Sequence, residues 1–180
     1  MKKIFGFVGH IASGKGAACD YLGSRYNAGY HRYSSILRDL VGRLYLPTDR
    51  DHLIRISEVL RSAFGEDTLA RVIKEDVERD THDVVCVDGI RRLADIAELR
   101  KLPGFTLVYI EAAPQMRFNR LIQRTENEDD QKKTFEDFLK DEERSTEKSI
   151  DDVAVDAHIT INNDGSIDDL HATLDKLVAA

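Results

Sequence analysis

The sequence predicts an α/β fold on a mainly parallel five-stranded sheet flanked by helices. Two observations carry that expectation. Apolar runs of strand length alternate with stretches of helical period along the whole chain, the order that winds helices around a parallel sheet. The first of those runs, Ile4-Phe5-Gly6-Phe7-Val8, empties directly into a glycine-bracketed turn, Gly9-His10-Ile11-Ala12-Ser13-Gly14-Lys15-Gly16, and then into a helix. At 180 residues the chain has the length of one domain, enough to bury about 70% of its unfolded surface.

The strand-like runs fall at residues 3–8, 29–33, 83–88, 105–111 and 157–161. The run at 29–33 is short and polar. Val84-Val85-Cys86-Val87 has four apolar residues in succession, which suits a central strand buried on both faces. Between the second and third strands lies a helical region, residues 34–80, broken near Leu46-Pro47-Thr48 and Phe64-Gly65-Glu66. Its first helix is expected to start from an N-cap at Ser34 or Ser35, with Ile36, Leu37, Leu40, Val41 and Leu44 on one face. Its second follows Thr48-Asp49-Arg50-Asp51, a capping-box variant, and carries Leu53, Ile54, Ile56, Val59, Leu60 and Phe64 at helical spacing. Ala112-Ala113-Pro114 opens a later helix, Thr134 caps another bearing Phe135, Phe138 and Leu139, and residues 167–178 close the chain.

The turn after the first strand reads as a cradle for a polyphosphate. Successive backbone N–H groups must point inward at the anion, which needs glycine wherever a side chain would block the turn or the ligand. Gly9, Ile11, Ala12, Ser13, Gly14, Lys15, Gly16 and Ala17 form the expected nucleotide-phosphate site. The following helix N-terminus adds partial positive charge, and Lys15 reaches the outer phosphates. Such loops usually place Ser or Thr after the lysine to hold Mg²⁺. Here Gly16 and Ala17 supply no hydroxyl, so the metal is expected on phosphate oxygens, water and a carboxylate from elsewhere. Asp88, ending the third strand, is that carboxylate, acting through water if its strand neighbours the first.

The Gly-Lys-Gly turn resembles the loop of adenylate-kinase-like nucleoside monophosphate kinases, although those follow it with Thr. Asp88-Gly89-Ile90-Arg91-Arg92 resembles the same family's Asp-Gly-Phe-Pro-Arg stretch. The proline is missing and the arginine shifted, so either Arg91 or Arg92 matches its phosphate-binding arginine. Tyr33-Ser34-Ser35-Ile36-Leu37-Arg38 is similar to the segment ending in the arginine that binds the acceptor's phosphate. Residues 56–67 resemble the acceptor segment of phage-type deoxynucleoside monophosphate kinases, with Arg61 at its arginine. Residues 159–166 resemble the base loop of dephospho-coenzyme-A kinases. Arg117, Arg120 and Arg124 recur at i, i+3 and i+7, which puts three guanidinium groups on one side of their helix. They are neutralised by the acidic run 126–130 or, as the resemblance implies, close as a lid on the transferring phosphoryl group, with Arg120 and Arg124 in that role. Each arginine named also reads as an ordinary surface or salt-bridged residue.

Together these imply a P-loop kinase domain spanning residues 1–180, with an acceptor-binding insertion at 34–80 and a lid region at 125–145. The implied reaction moves the γ-phosphoryl of ATP, with Mg²⁺, onto a nucleoside or deoxynucleoside monophosphate. The alternatives are a dephospho-coenzyme-A-kinase-like enzyme or other small-molecule kinase, and a nucleotide-dependent switch that hydrolyses ATP slowly. No Asn-Lys-x-Asp guanine-reading motif supports a switch.

Composition restricts partners. Hydrophobic residues make up 42% and charged residues 33%, and the formal net charge is −7, which disfavours non-specific attraction to nucleic acid. The longest apolar runs are far short of a membrane span. Cys19 and Cys86 lack the spacing of a metal site or disulfide framework and read as buried free thiols of a cytoplasmic protein.

Overall fold

The structure, a computed structural model, describes residues 2–123, 131, 133–143 and 145–180. Five strands, β1 (Lys3–Val8), β2 (Gly29–Arg32), β3 (Val84–Ile90), β4 (Phe105–Glu111) and β5 (Ile159–Asn162), form one sheet in the order β2-β3-β1-β4-β5. Every pairing is parallel, as the alternation of apolar and helical stretches predicts. The central three strands are near-continuous apolar runs because helices cover both of their faces.

Helix α1 (Lys15–Tyr26) joins β1 to β2, and α2 (Tyr33–Arg43), α3 (Arg50–Phe64) and α4 (Thr68–Arg79) lie between β2 and β3. The breaks fall at the Pro47 and Gly65 segments. α3 starts from Asp49, whose carboxylate accepts the His52 N–H at 3.0 Å. α5 (Leu93–Ala97) and a single 3₁₀ turn (Leu99–Lys101) lead to β4. α6 (Pro114–Leu121), α7 (Phe135–Glu142) and α8 (Ser145–Ala154) follow, and α9 (Ile167–Ala179) ends the chain. Thr134 and Ser166 cap α7 and α9 with reciprocal side-chain bonds to Asp137 and Asp169.

One core layer packs Leu37, Val41, Leu69 and Ile73 of the β2–β3 helices, with Ile150 and Val153 of α8, against Ile4, Val85 and Leu107. The other packs Leu22 of α1 and Leu170 and Leu174 of α9 against Phe5, Phe7 and Ile110. Both cysteines are buried and free. The Cys19 thiol is hydrogen-bonded to that of Cys86, which, with burial, raises its pKa. Among the described residues no helix is long and apolar enough to cross a membrane.

Three expectations are corrected. α2 starts at Tyr33, with Arg32 extended at the cap position, because the buried Tyr33 ring sends its hydroxyl to the Asp95 carbonyl at 2.6 Å. Within the apolar stripes of α2 and α3, Leu40, Leu44, Val59 and Phe64 are exposed; these helices meet the sheet along narrower seams. Finally, Arg117 does not share a cluster with Arg120. Its guanidinium is buried against Glu142, the Ala112 carbonyl and the Phe138 ring, where it fastens α6 to α7.

Candidate functional site

The chain leaves β1 toward one edge of the sheet and leaves β3 toward the other. The carboxyl ends of these adjacent strands therefore mark the point where the winding reverses, the usual place for a ligand in an open α/β sheet. The glycine turn and Asp88 both sit there. Gly9 follows β1 with φ +156, and a Cβ on it would collide with the Ile110 carbonyl of β4. Gly14, the residue before α1, has φ +114, a conformation side chains resist. It caps α1 with no side-chain bond, and the first turn carries no acid. That leaves the helix N-terminus with its electropositive character intact. Lys15 folds back over the turn, its Nζ donating to the Gly9 carbonyl at 2.6 Å and the His10 carbonyl at 2.9 Å.

From this turn a cavity of about 660 Å³ runs to the helices between β2 and β3. Its wall includes Ile11, Ala12, Gly14, Lys15, Gly16 and Ala17 of the turn, Asp88 of β3, Arg38 of α2, Arg61 of α3, Arg91 and Arg92 after β3, and Arg120 of α6. Lys15 thus faces the same space as Asp88. Gly9 and Ser13 lie behind the wall, buried. Arg124 lies outside the described residues, as do residues 125–130, 132 and 144 of the lid region.

Asp88 is 4% exposed. Its carboxylate accepts the Gly89 N–H at 2.6 Å and the Tyr30 hydroxyl at 3.1 Å, and pairs with Arg32 Nε at 3.5 Å. A carboxylate offers about four acceptor positions, so these contacts do not exhaust it. Burial, then the negative charge of Asp88, pushes the Tyr30 phenol well above its usual range, so it stays a donor.

The arginines differ in what they touch. Arg38 is on the open side, donating to the Thr48 carbonyl at 3.2 Å. Arg61 is buried and bound to Asp95, the Glu66 carbonyl and Ser57. Asp95 Oδ2 also accepts the backbone N–H groups of Arg91 and Arg92 at 3.0 Å each, fixing the segment after β3. Arg92 reaches Glu66 at 3.2 Å. Arg120 donates through Nη2 to the Asn163 carbonyl at 2.8 Å, and its Nη1 is buried with no hydrogen-bond partner among the described residues.

The structure adds residues that sequence reasoning missed. Arg32, Arg50, Tyr30, Asp20 and Glu58 also line the cavity. Arg32 and Tyr30 sit on the short polar strand β2, and only its placement beside β3 brings them to Asp88. Arg50 was legible only as part of a helix cap. Among the described residues no cluster of three His, Cys, Asp or Glu could by itself hold a metal ion.

Comparison with known proteins follows the same lines. Residues 8–138 match a family model described as an AAA domain. A UPF0200 protein of Methanoregula boonei is 28% identical over 176 residues, 97% of this chain and 95% of that one. A UPF0200 protein of Saccharolobus solfataricus is 25% identical over 138 residues, 74% of this chain and 72% of that one. Shikimate kinase from Bacteroides thetaiotaomicron superposes with a TM-score of 0.66 at 15% identity, covering 99% of both chains. TT1252 from Thermus thermophilus gives 0.65 at 18% identity, covering 99% of this chain and 97% of that one.

Proposed function

The chain belongs to the AAA domain family and has the fold of the P-loop kinases, and from that premise we propose that it transfers the γ-phosphoryl of ATP to the phosphate of a nucleoside or deoxynucleoside monophosphate. The observation that carries this reading is one continuous cavity that joins the glycine turn to an arginine-lined space under α2 and α3. One end suits a triphosphate and the other a second anion.

In this reading the turn amides and the α1 N-terminus bind the donor phosphates, and Lys15 exchanges the Gly9 and His10 carbonyls for phosphate oxygens. Arg38, with Arg91 or Arg92, takes the acceptor's phosphate. Arg61 holds that wall in shape through Asp95. Arg120 offers its Nη1, which has no hydrogen-bond partner among the described residues, to the charge that spreads over the transferring group. An acceptor phosphate is already ionised at neutral pH, so no general base is needed.

Mg²⁺ bound to the donor would withdraw charge from the β- and γ-phosphates. The residues present fit it as a hydrated ion. Asp88 keeps acceptor capacity for a metal-bound water, and a Cβ built on Gly16 meets nothing within 4 Å, so there is room for a water shell.

A second reading is an acceptor hydroxyl, as the fold of the shikimate kinases suggests. Asp20 and Glu58, carboxylates on the same cavity wall, favour it. Purified protein with Mg²⁺-ATP and, separately, each ribo- and deoxynucleoside monophosphate, dephospho-coenzyme A and shikimate distinguishes the readings by acceptor-dependent ADP release. A monophosphate-dependent rate that falls at least 100-fold in Lys15→Ala supports the proposal. Turnover with a hydroxyl acceptor alone moves the function to the second reading, and acceptor-independent hydrolysis moves it to a switch.

A further inference from the structure

Asn163, at the end of β5, touches both halves of the site. It is 6% exposed. Its Nδ2 donates to the Ser13 carbonyl at 2.8 Å, its own carbonyl accepts Arg120 Nη2 at 2.8 Å, and its N–H is held by the Glu111 carbonyl of β4 at 2.8 Å. The amide can present only its nitrogen to a carbonyl, so the side chain is locked in one orientation. It also stands where a Cβ on Gly14 would be, so glycine is required there by contact as well as by φ.

We propose that Asn163 is a positioning residue. It fixes the Ser13–Gly14 peptide so that the amides leading into Lys15 face the donor phosphates, and it tethers Arg120 by one nitrogen while the other is left for the transferring group. The fold supplies the tether from a distance: 150 residues separate Asn163 from Ser13. The inference rests on the phosphate-loop reading above. The resemblance in the sequence marks residues 159–166 only as a base loop; the phosphate-side role of the Asn163 side chain follows from its contacts.

The test is donor binding by calorimetry with ATP and Mg²⁺, without any acceptor, on the wild type, Asn163→Ala and Asn163→Asp, with thermal unfolding of each. Asn163→Ala removes the donor to Ser13. Asn163→Asp keeps the shape but turns an acceptor and a negative charge toward that carbonyl. The expected result is a loss of ATP affinity of tenfold or more in Asn163→Ala and a larger one in Asn163→Asp. In turnover, the donor KM rises and kcat falls while the acceptor KM stays within about twofold. A space-filling role predicts the reverse order, because the aspartate is the closer fit.

Wild-type binding with both variants within twofold of it, or Asn163→Asp milder than Asn163→Ala, overturns the proposal while leaving the donor site intact. A wild type that binds no nucleotide overturns the phosphate-loop reading and this inference with it. Should Asn163→Ala not fold, Asn163→Ser, which keeps a hydroxyl donor, is expected to lie between wild type and Asn163→Asp. Affinity equal to wild type in both Asn163→Ser and Asn163→Asp would then overturn it.

Discussion

Arg61 Nη2 lies 2.7 Å from Asp95 Oδ1, and only 6% and 2% of the two side chains remain exposed. The pair joins α3 to the segment after β3, and the other Asp95 oxygen binds the Arg91 and Arg92 amides. Removing one partner strands a buried charge, which costs about 3–5 kcal/mol. Asp95→Ala and Arg61→Ala should each lower stability by that amount in denaturant melts. Replacing both residues with apolar side chains of similar volume should cost clearly less than the sum. In a folded Arg61→Ala protein the acceptor KM should rise far more than the KM of ATP.

Gly14 and Gly16 stand two residues apart and should respond oppositely to alanine. Gly14 has φ +114 and a blocked Cβ position, whereas Gly16 is helical with open space around it. Gly14→Ala should lose about 1–3 kcal/mol, the range for strained or overpacked positions, and weaken ATP binding. Gly16→Ala should hold or raise stability by up to about 1 kcal/mol, because alanine limits the unfolded chain and favours the helix. Thermal unfolding of both variants checks the sign.

Asp80 joins α4 to β2 and to the turn before β3. It accepts His31 Nε2 at 2.7 Å, and both the ring and the backbone N–H of His82. Burial alone would raise its pKa, but the His82 and His31 donors outweigh it and hold the carboxyl at about 2, below its ordinary 3.8. A carboxyl depressed on folding stabilises the fold above its unfolded pKa, and that contribution fades as pH falls from about 4 through about 2. The shift corresponds to roughly 2 kcal/mol. Wild type should therefore be more stable than Asp80→Asn at pH 7, and the difference should shrink by about that amount at pH 2.

These contacts show which parts of the molecule could be read from sequence. The three central strands were legible because a parallel sheet covered on both faces favours unbroken apolar runs such as Val84-Val85-Cys86-Val87, whereas β2 is short and polar. The turn at Gly9–Gly16 was legible because its backbone requirement is local. The partners of the arginines were not. Arg61, Arg117 and Arg120 read alike as helical cations, yet one finds Asp95, one Glu142 and one the Asn163 carbonyl, at separations of 34, 25 and 43 residues. Such pairings follow from topology. The same holds for Arg32, whose neighbour Asp88 is set by the β2–β3 register.

Arg120 combines two properties that separate activity from stability. Its Nη2 is satisfied, but its Nη1 is buried with no hydrogen-bond partner among the described residues. An unsatisfied buried donor costs about 1–3 kcal/mol. The fold gains nothing from that nitrogen, whereas a phosphoryl group in transfer would be met by a donor that needs no reorganisation. Arg120→Met, which keeps the aliphatic stem, should therefore leave the melting temperature unchanged or raise it while lowering kcat by about 10²–10³-fold. Arg120→Lys should recover only part of that loss, because a single ammonium cannot hold the Asn163 carbonyl and the transferring group in the guanidinium's fixed fork. Melting and turnover measured on the same preparations test this. A variant that loses stability but keeps kcat would make Arg120 a structural tie between α6 and β5.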